Sequence, residues 1–431
     1  MANKTVGICT LGCKVNTYES EYVISLLKKN DYDIKDFNDI CDIYIINTCT
    51  VTNNSDSKSR KMIRHARKLN KDAIIIAMGC FIEANKDKIL EEVEEIDIAI
   101  GNKNKSKIID IINEYQEKKK KENLTEDLDD DFENMFIDNY NTRTRAFVKV
   151  QDGCENFCSY CIIPKVRGKC RSKPLNEAVN EIKNLVNKGY KEIVLTGIHT
   201  GNYGVDINTN FATLLKEILK IEGLVRLRIS SIEITELTDE VLDIIKNSDV
   251  VVNHFHVPIQ SGSNKVLKLM NRKYDIDFFK NKVEKLREIK KDVSITTDII
   301  AGHPGETEEE FEEVLKNVKE INFSKLHVFP YSIRKGTPSE KLEQIPSEVK
   351  KEHTKRLLEL SHELELNFMN KFIDKEMSVL IETNKDGFSY GHTTNYLDIK
   401  IEGVLEHAKI YNIKITGIDY PYCLGEIVEL Y

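Results

Sequence analysis

From Arg145 onward the chain repeats one pattern. Six apolar runs, AFVKVQDG, EIVLTGIHTG, LRISSIE, NHFHVPIQSG, SITTDIIAGHPGE and KLHVFPYS, each end in a polar or glycine-containing cluster and are followed by a helical pattern. Strands separated by helices run parallel, because the crossover helix returns the chain to the same end of the sheet. The repeat predicts a parallel (β/α)6 barrel, full or partial, with its site at the carboxyl ends of the strands. An earlier series, KTVGICTLG, DIYIINTC, AIIIAMGC and DIAIG, reads as buried strands of an open parallel α/β sheet. After the charged helix EVKKEHTKRLLELSHELELNFMNKFI, the runs MSVLIE, FSYGHTTNYLDIKIE and IVEL alternate apolar with polar residues, as in a small β-barrel. The expected organisation is α/β throughout: a sheet domain over 1–113, a polar linker over 114–144, the parallel barrel over 145–371 and the small β-barrel over 372–431.

At 431 residues the chain buries ample core without covalent staples. Its N-terminus MANKTVGICTLGC reads as a strand, and no run approaches a membrane span of ~20 apolar residues. A cytoplasmic protein with its cysteines reduced or metal-bound is expected. The formal charge of -8 gives no general affinity for nucleic acid. An RNA surface would have to be local, as in the basic stretches KSRKMIRHARKLNK and PKVRGKCRSK.

The ten cysteines are unevenly placed. Cys154, Cys158 and Cys161 form C-x3-C-x2-C just after the first barrel strand. One loop with that spacing wraps three corners of a cubane iron–sulfur cluster and leaves one iron for a ligand that is not protein. Zinc held by these three with Cys170 is the alternative. Cys13, Cys49 and Cys80 each follow a strand of the first series, so parallel pairing would bring them to one sheet edge. Cys9, Cys41 and Cys423 read as core thiols.

LGCKVNTYESE, NTCTVTNNSDSKSR, GCFIEA, GCENFCSYCIIPKVRGKCRSKP and PIQSGSNKVLKLMNRKY fall in order along the chain. Together they resemble the methylthiotransferases, a family of radical S-adenosylmethionine (SAM) enzymes, and the C-terminal region is similar to their RNA-binding TRAM domain. GCKVNTYES resembles the branch acting on N6-threonylcarbamoyladenosine at tRNA position 37, with isopentenyladenosine-37 tRNA and ribosomal protein S12 as the alternative substrates. The resemblance implies SAM and two [4Fe-4S] clusters. Cys154, Cys158 and Cys161 would hold the cluster that cleaves SAM reductively, and Cys13, Cys49 and Cys80 the auxiliary cluster that carries the donated sulfur. Tyr160, Gly197, His199, Glu233 and Gln260 are its candidate SAM contacts, and Arg167 and Arg171, just past the cluster loop, its candidate tRNA contacts. A small electron-transfer protein would act as reductant. No catalytic side chain beyond the clusters is expected, since an aromatic C2–H has no useful acidity and the hard step belongs to the cofactor. A non-catalytic, metal-stabilised RNA-binding protein is the reading from another class.

Overall fold

The structure, a computed structural model, describes residues 3–128, 130–140 and 144–428. Its first layer is a six-stranded parallel sheet in the order β2-β1-β3-β4-β5-β6. The strands are β1 (Thr5–Thr10), β2 (Asp33–Lys35), β3 (Ile43–Thr48), β4 (Ile74–Gly79), β5 (Ile98–Ile100) and β6 (Glu122–Asn123). Every residue of β3 is buried, as helices on both faces require of a central parallel strand. Ile43, Ile45, Ile76 and Met78 fill one side, while Tyr44, Ile46, Ile75 and Ala77 fill the other. The run 114–144 is tied to both neighbouring domains. Its first residues finish the helix Ile108–Lys118, Glu122–Asn123 pair with β5, and Met135, Ile137 and Tyr140 enter the core of the second domain.

That second domain is the expected partial barrel. β7 (Ala146–Lys149) is followed by a small ribbon of β8 (Gln151–Asp152) and β9 (Arg171–Ser172), which forms the base of the cysteine loop. β10 (Glu192–Thr196) pairs with both β7 and β11 (Arg226–Ile229), giving the order β11-β10-β7. β12 (His254–His256), β13 (Ser294–Ala301) and β14 (Lys325–Pro330) form a second parallel sheet. A parallel bridge from Leu227 to Val251 joins the two sheets. The strands thus follow one another in chain order around a half-open barrel.

The helix Ser347–Asn370 leads to a closed five-stranded barrel of β15 (Glu376–Lys385), β16 (Phe388–Thr393), β17 (Asp398–Glu402), β18 (Ile410–Asp419) and β19 (Tyr422–Ile427). It docks on the parallel barrel through a buried charge. Glu192, fully buried at the start of β10, accepts hydrogen bonds from Arg228 Nε at 2.6 Å and His392 Nε2 at 3.0 Å. Tyr396 stacks on His254 at 4.7 Å, and the Arg228 guanidinium lies 4.6 Å over its ring.

Burial opposes ionisation of Glu192, but Arg228 and His392 outweigh it and hold the carboxyl well below the usual range. A depressed carboxyl contributes stability above its unfolded value of about 4.3, lost as pH falls toward its folded value. Glu192→Gln is therefore expected to cost about 3–5 kcal/mol at pH 7, because it leaves buried cations uncompensated. Denaturant midpoints checked at two pH values should show the gap to the natural protein narrowing at about pH 3; a constant gap would contradict this account.

Candidate active site and its two cysteine triplets

Parallel register brings Cys13, Cys49 and Cys80 together. Cys13 caps the helix Lys14–Lys29 after β1, Cys49 follows β3 directly, and Cys80 opens the short helix Cys80–Ala84 after β4. The backbone is shaped around them. A Cβ built on Gly12 would lie 2.9 Å from Cys49 Cβ and 3.0 Å from its Sγ, and the φ of +99° disfavours a side chain there. Burial pushes Cys13 and Cys49 upward, outweighing the Arg167 charge at Cys13 and a backbone hydrogen bond at Cys49, and the neighbouring thiols add to the rise. Bare thiolates are disfavoured here, so a bound cationic centre would have to hold them ionised. Arg167 Nε donates to Cys80 Sγ at 3.3 Å and Asn102 Nδ2 at 3.5 Å. Donors aimed at sulfur suit a metal-bound thiolate.

The second triplet lies on the loop between β8 and the helix Ile163–Arg167. Gly153 lets the loop fold back: its φ is +75°, and a Cβ there would sit 1.8 Å from Lys169 O. Cys154 N donates to Gly168 O at 3.0 Å, and Ser159 N donates to Met270 O at 3.1 Å. Burial first, then Cys158 and Cys154, push the Cys161 thiol up to about 12. Arg272 Nη1 reaches Cys158 Sγ at 3.4 Å, and His199 Nδ1 stands 3.8 Å from Cys154 Sγ. Among the described residues no three His, Cys, Asp or Glu side chains are grouped to share a single ion. A cubane suits the arrangement better, since each thiolate takes a different iron. Each triplet offers three thiols, the donor set that a [4Fe-4S] cluster takes when its fourth iron is left to another ligand.

A buried ion network fixes the two triplets relative to one another. Glu19 of the first domain and Asp152 of the second share Arg167 (2.7 and 3.2 Å) and Lys149 (3.0 and 2.7 Å). Lys105 also pairs with Glu19. All five side chains are buried. Burial raises the Glu19 carboxyl, but Arg167, Lys105 and Lys149 hold it well below its usual range. Three cations against two carboxylates leave positive charge in excess, and Arg167 directs it at Cys80. Arg334, in the loop after β14, clasps the other side through Thr50 O (2.6 Å) and Asp56 (2.9 Å). Between the domains lies a cavity of about 610 Å3, lined by Cys13 and Lys14, by Thr196, Gly197 and Ser230 at strand ends, and by Tyr396.

Of the expected SAM contacts, Tyr160 meets His303 edge-on at 6.3 Å, and Gly197 lines the cavity. His199 pairs with Glu236 as well as approaching Cys154. Glu233 caps a turn of 3-10 helix and pairs with Arg272. Gln260 sits at φ +65°, its N–H bonded to Asp298 O at 2.9 Å on the neighbouring strand. The expected tRNA contacts require correction. Arg167 and Arg171 are 0% and 5% exposed, and both face Asp152, so neither side chain lies on a surface that meets phosphate. Within the same two basic stretches, Cys170 is buried, accepting from Gln151 Nε2 at 3.3 Å, and Arg67 is held by Asp97 at 2.6 Å. Sequence reasoning missed Glu19, Lys149, Asp152 and Arg272, although Glu19 and Arg272 fall inside the motifs NTYESE and MNRKY.

A half-open parallel barrel with C-x3-C-x2-C beyond its first strand defines a radical-SAM protein, and residues 148–318 match the model of the radical SAM superfamily. Residues 5–101 match that of the uncharacterized protein family UPF0004. The threonylcarbamoyladenosine tRNA methylthiotransferase MtaB of Bacillus subtilis is 42% identical over 99% of this chain and 97% of its own length. The tRNA-2-methylthio-N(6)-dimethylallyladenosine synthase of Clostridium novyi is 37% identical over 99% of this chain and 97% of its own. In fold alone, the chain is similar to the radical SAM methyltransferase TsrM from Kitasatospora setae, solved with cobalamin and a [4Fe-4S] cluster bound. The TM-score is 0.58 at 14% identity, over 78% of this chain and 77% of that one. The chain belongs to the radical-SAM tRNA methylthiotransferases.

Arg167→Met is expected to destabilise the protein by about 3–5 kcal/mol, because it strands Glu19 and Asp152 in the interior. Lys169→Met, two residues away and 66% exposed in its pair with Asp130, should change stability by less than about 1 kcal/mol. Denaturant unfolding of both variants checks the contrast; similar losses would contradict it.

Proposed function

We propose that this chain is a cytoplasmic enzyme that adds a methylthio group to C2 of N6-threonylcarbamoyladenosine at position 37, in the anticodon loop of tRNA. The observation that carries this reading is the 42% identity, over nearly the whole chain, to the Bacillus subtilis enzyme of that name. Two cysteine triplets, one of which reaches the cavity between the domains through Cys13, would hold the groups whose chemistry such a transfer needs.

When bound, SAM and the two [4Fe-4S] clusters supply the one-electron chemistry, the methyl group and the sulfur; the protein supplies the rest. Cys154, Cys158 and Cys161 would hold one cluster, with Arg272 and His199 placed to donate toward its sulfur ligands and Tyr160 as a contact for SAM. Cys13, Cys49 and Cys80 would hold the other, with Arg167 and Asn102 donating to Cys80. The carboxylate of Glu233, oriented by Arg272, would accept from the ribose hydroxyls of SAM. Gly197 leaves room at the end of β10, and Gln260 stands on the neighbouring strand end. The ion network around Glu19 keeps the clusters at a fixed separation, which a transfer between them requires. The cavity receives the flipped-out base and keeps water from it. A small electron-transfer protein delivers the electron.

The outer face of the C-terminal barrel meets the RNA. There the Tyr390 and Tyr422 rings lie 5.2 Å apart, and Lys400 covers Phe388, an aromatic and basic surface of the kind on which unpaired bases stack. No described helix is long and apolar enough to cross a membrane.

Mass spectrometry of tRNA nucleosides, in cells with and without the gene, tests the assignment. 2-Methylthio-N6-threonylcarbamoyladenosine is expected only with the gene, and its loss is expected with Cys154→Ala or Cys49→Ala. Loss of the 2-methylthio isopentenyl nucleoside instead would transfer the assignment to the branch represented by the Clostridium novyi enzyme.

A further inference from the structure

The cavity between the domains has unsatisfied polar groups at one place. Lys14, the residue after Cys13, lines it half-buried, and its ammonium has no hydrogen-bond or ion-pair partner among the described residues. The carboxylates nearby are committed elsewhere. Asp298 pairs with His256 at 3.3 Å, Glu365 with Lys325 at 2.6 Å, and Glu192 with Arg228 and His392. Asp398 lies toward Lys325, at the side of the C-terminal barrel. A second group also lacks a partner. His254 is 5% exposed and lines the same cavity; its Nε2 reaches Thr296 Oγ1 at 3.4 Å, and its Nδ1 is buried without a hydrogen bond. A buried polar atom left unmatched costs free energy, so the two groups together describe a ligand that carries negative charge and hydrogen-bonding atoms.

We propose that Lys14 binds the carboxylate of the threonylcarbamoyl arm of the substrate base, and that His254 Nδ1 hydrogen-bonds the polar atoms of the same arm. This rests on the substrate reading given above. C2 and C6 of adenine flank ring atom N1, and N6 is carried on C6, so a base that presents C2 to the triplet at Cys13 carries its N6 arm along the same edge, past Lys14. An isopentenyl arm offers neither charge nor hydrogen bond, and would leave both groups unmatched. A site built to hydrogen-bond its substrate rejects an analogue that lacks those atoms far more strongly than an apolar pocket rejects an added one. Lys14 is therefore a specificity-determining residue, separate from the cysteines that hold the clusters.

The test is anaerobic fluorescence anisotropy on the cluster-loaded protein. Its probes are anticodon stem-loop RNAs with adenosine, N6-threonylcarbamoyladenosine or N6-isopentenyladenosine at position 37. Lys14→Met is expected to weaken binding of the threonylcarbamoyl RNA on the order of 10- to 100-fold, and that of the unmodified RNA less than about twofold. Lys14→Arg, which keeps the charge, should retain most of the preference. Proteins are compared at equal iron content, so that a misfolded variant is recognised. If the natural protein prefers the threonylcarbamoyl RNA and Lys14→Met keeps that preference, or loses affinity equally for all three RNAs, the role of Lys14 is overturned while the substrate reading stands. If the natural protein has no such preference, the substrate reading falls and this inference with it. Weakened SAM binding in equilibrium dialysis with unchanged RNA preference would assign Lys14 to the cofactor and overturn the proposal.

Discussion

The guanidinium of Arg167 faces no water and satisfies partners on three sides. Glu19 and Asn16 belong to the first domain, Asp152 belongs to the second, and Cys80 is one of the six cysteines at the centre of the molecule. Removing two carboxylates and three cations from water is expensive, and their mutual attraction offsets that cost only when geometry and hydrogen bonding are complete. The completeness of this network makes the interface a fixed one. A loosely held pair of domains would let the cysteine triplets drift, and misplacement by an ångström is enough to slow a positioned reaction severely.

The same economy explains the placement of the cavity. All strands of the first sheet end on one edge, and the barrel strands end on one mouth, so docking edge to mouth sets Cys13 and the strand-end residues Thr196, Gly197 and Ser230 around one cavity. Arg334 holds the loop after Cys49, and the network at Glu19 holds the helix after Cys13. The third domain closes the remaining side. Tyr396 enters against His254 and Arg228, and Glu192 anchors His392 beneath it. Each domain therefore contributes residues to the wall of a single chamber.

Much of this was legible in the sequence. Ile- and Val-rich runs gave β1, β3, β4, β5 and the six barrel strands, because a strand covered on both faces needs apolar residues throughout. β2 and β6 were not visible: edge strands of three and two polar residues carry no period. The candidate triplets stand out in the sequence by their spacing and by their place at strand ends. The arginines were misplaced for a physical reason. In KVRGKCR a basic loop reads as solvent-facing, and Lys105 and Lys149 invite the same reading, since such side chains are buried only when paired. Their partner Glu19 lies 148 residues from Arg167, so the pairing exists only once the two domains are docked. His392 is likewise buried against a partner distant in sequence, Glu192, 200 residues away.

The central claim is that two separate triplets each hold a cluster. Iron analysis with Mössbauer spectroscopy on anaerobically reconstituted protein tests it most directly. About eight irons per chain are expected in the natural protein, given four per cubane. About four should remain when Cys13, Cys49 and Cys80 are all changed to Ala, and about four when Cys154, Cys158 and Cys161 are changed instead. Zinc in place of iron, or loss of all iron on changing a single triplet in a folded protein, would contradict it.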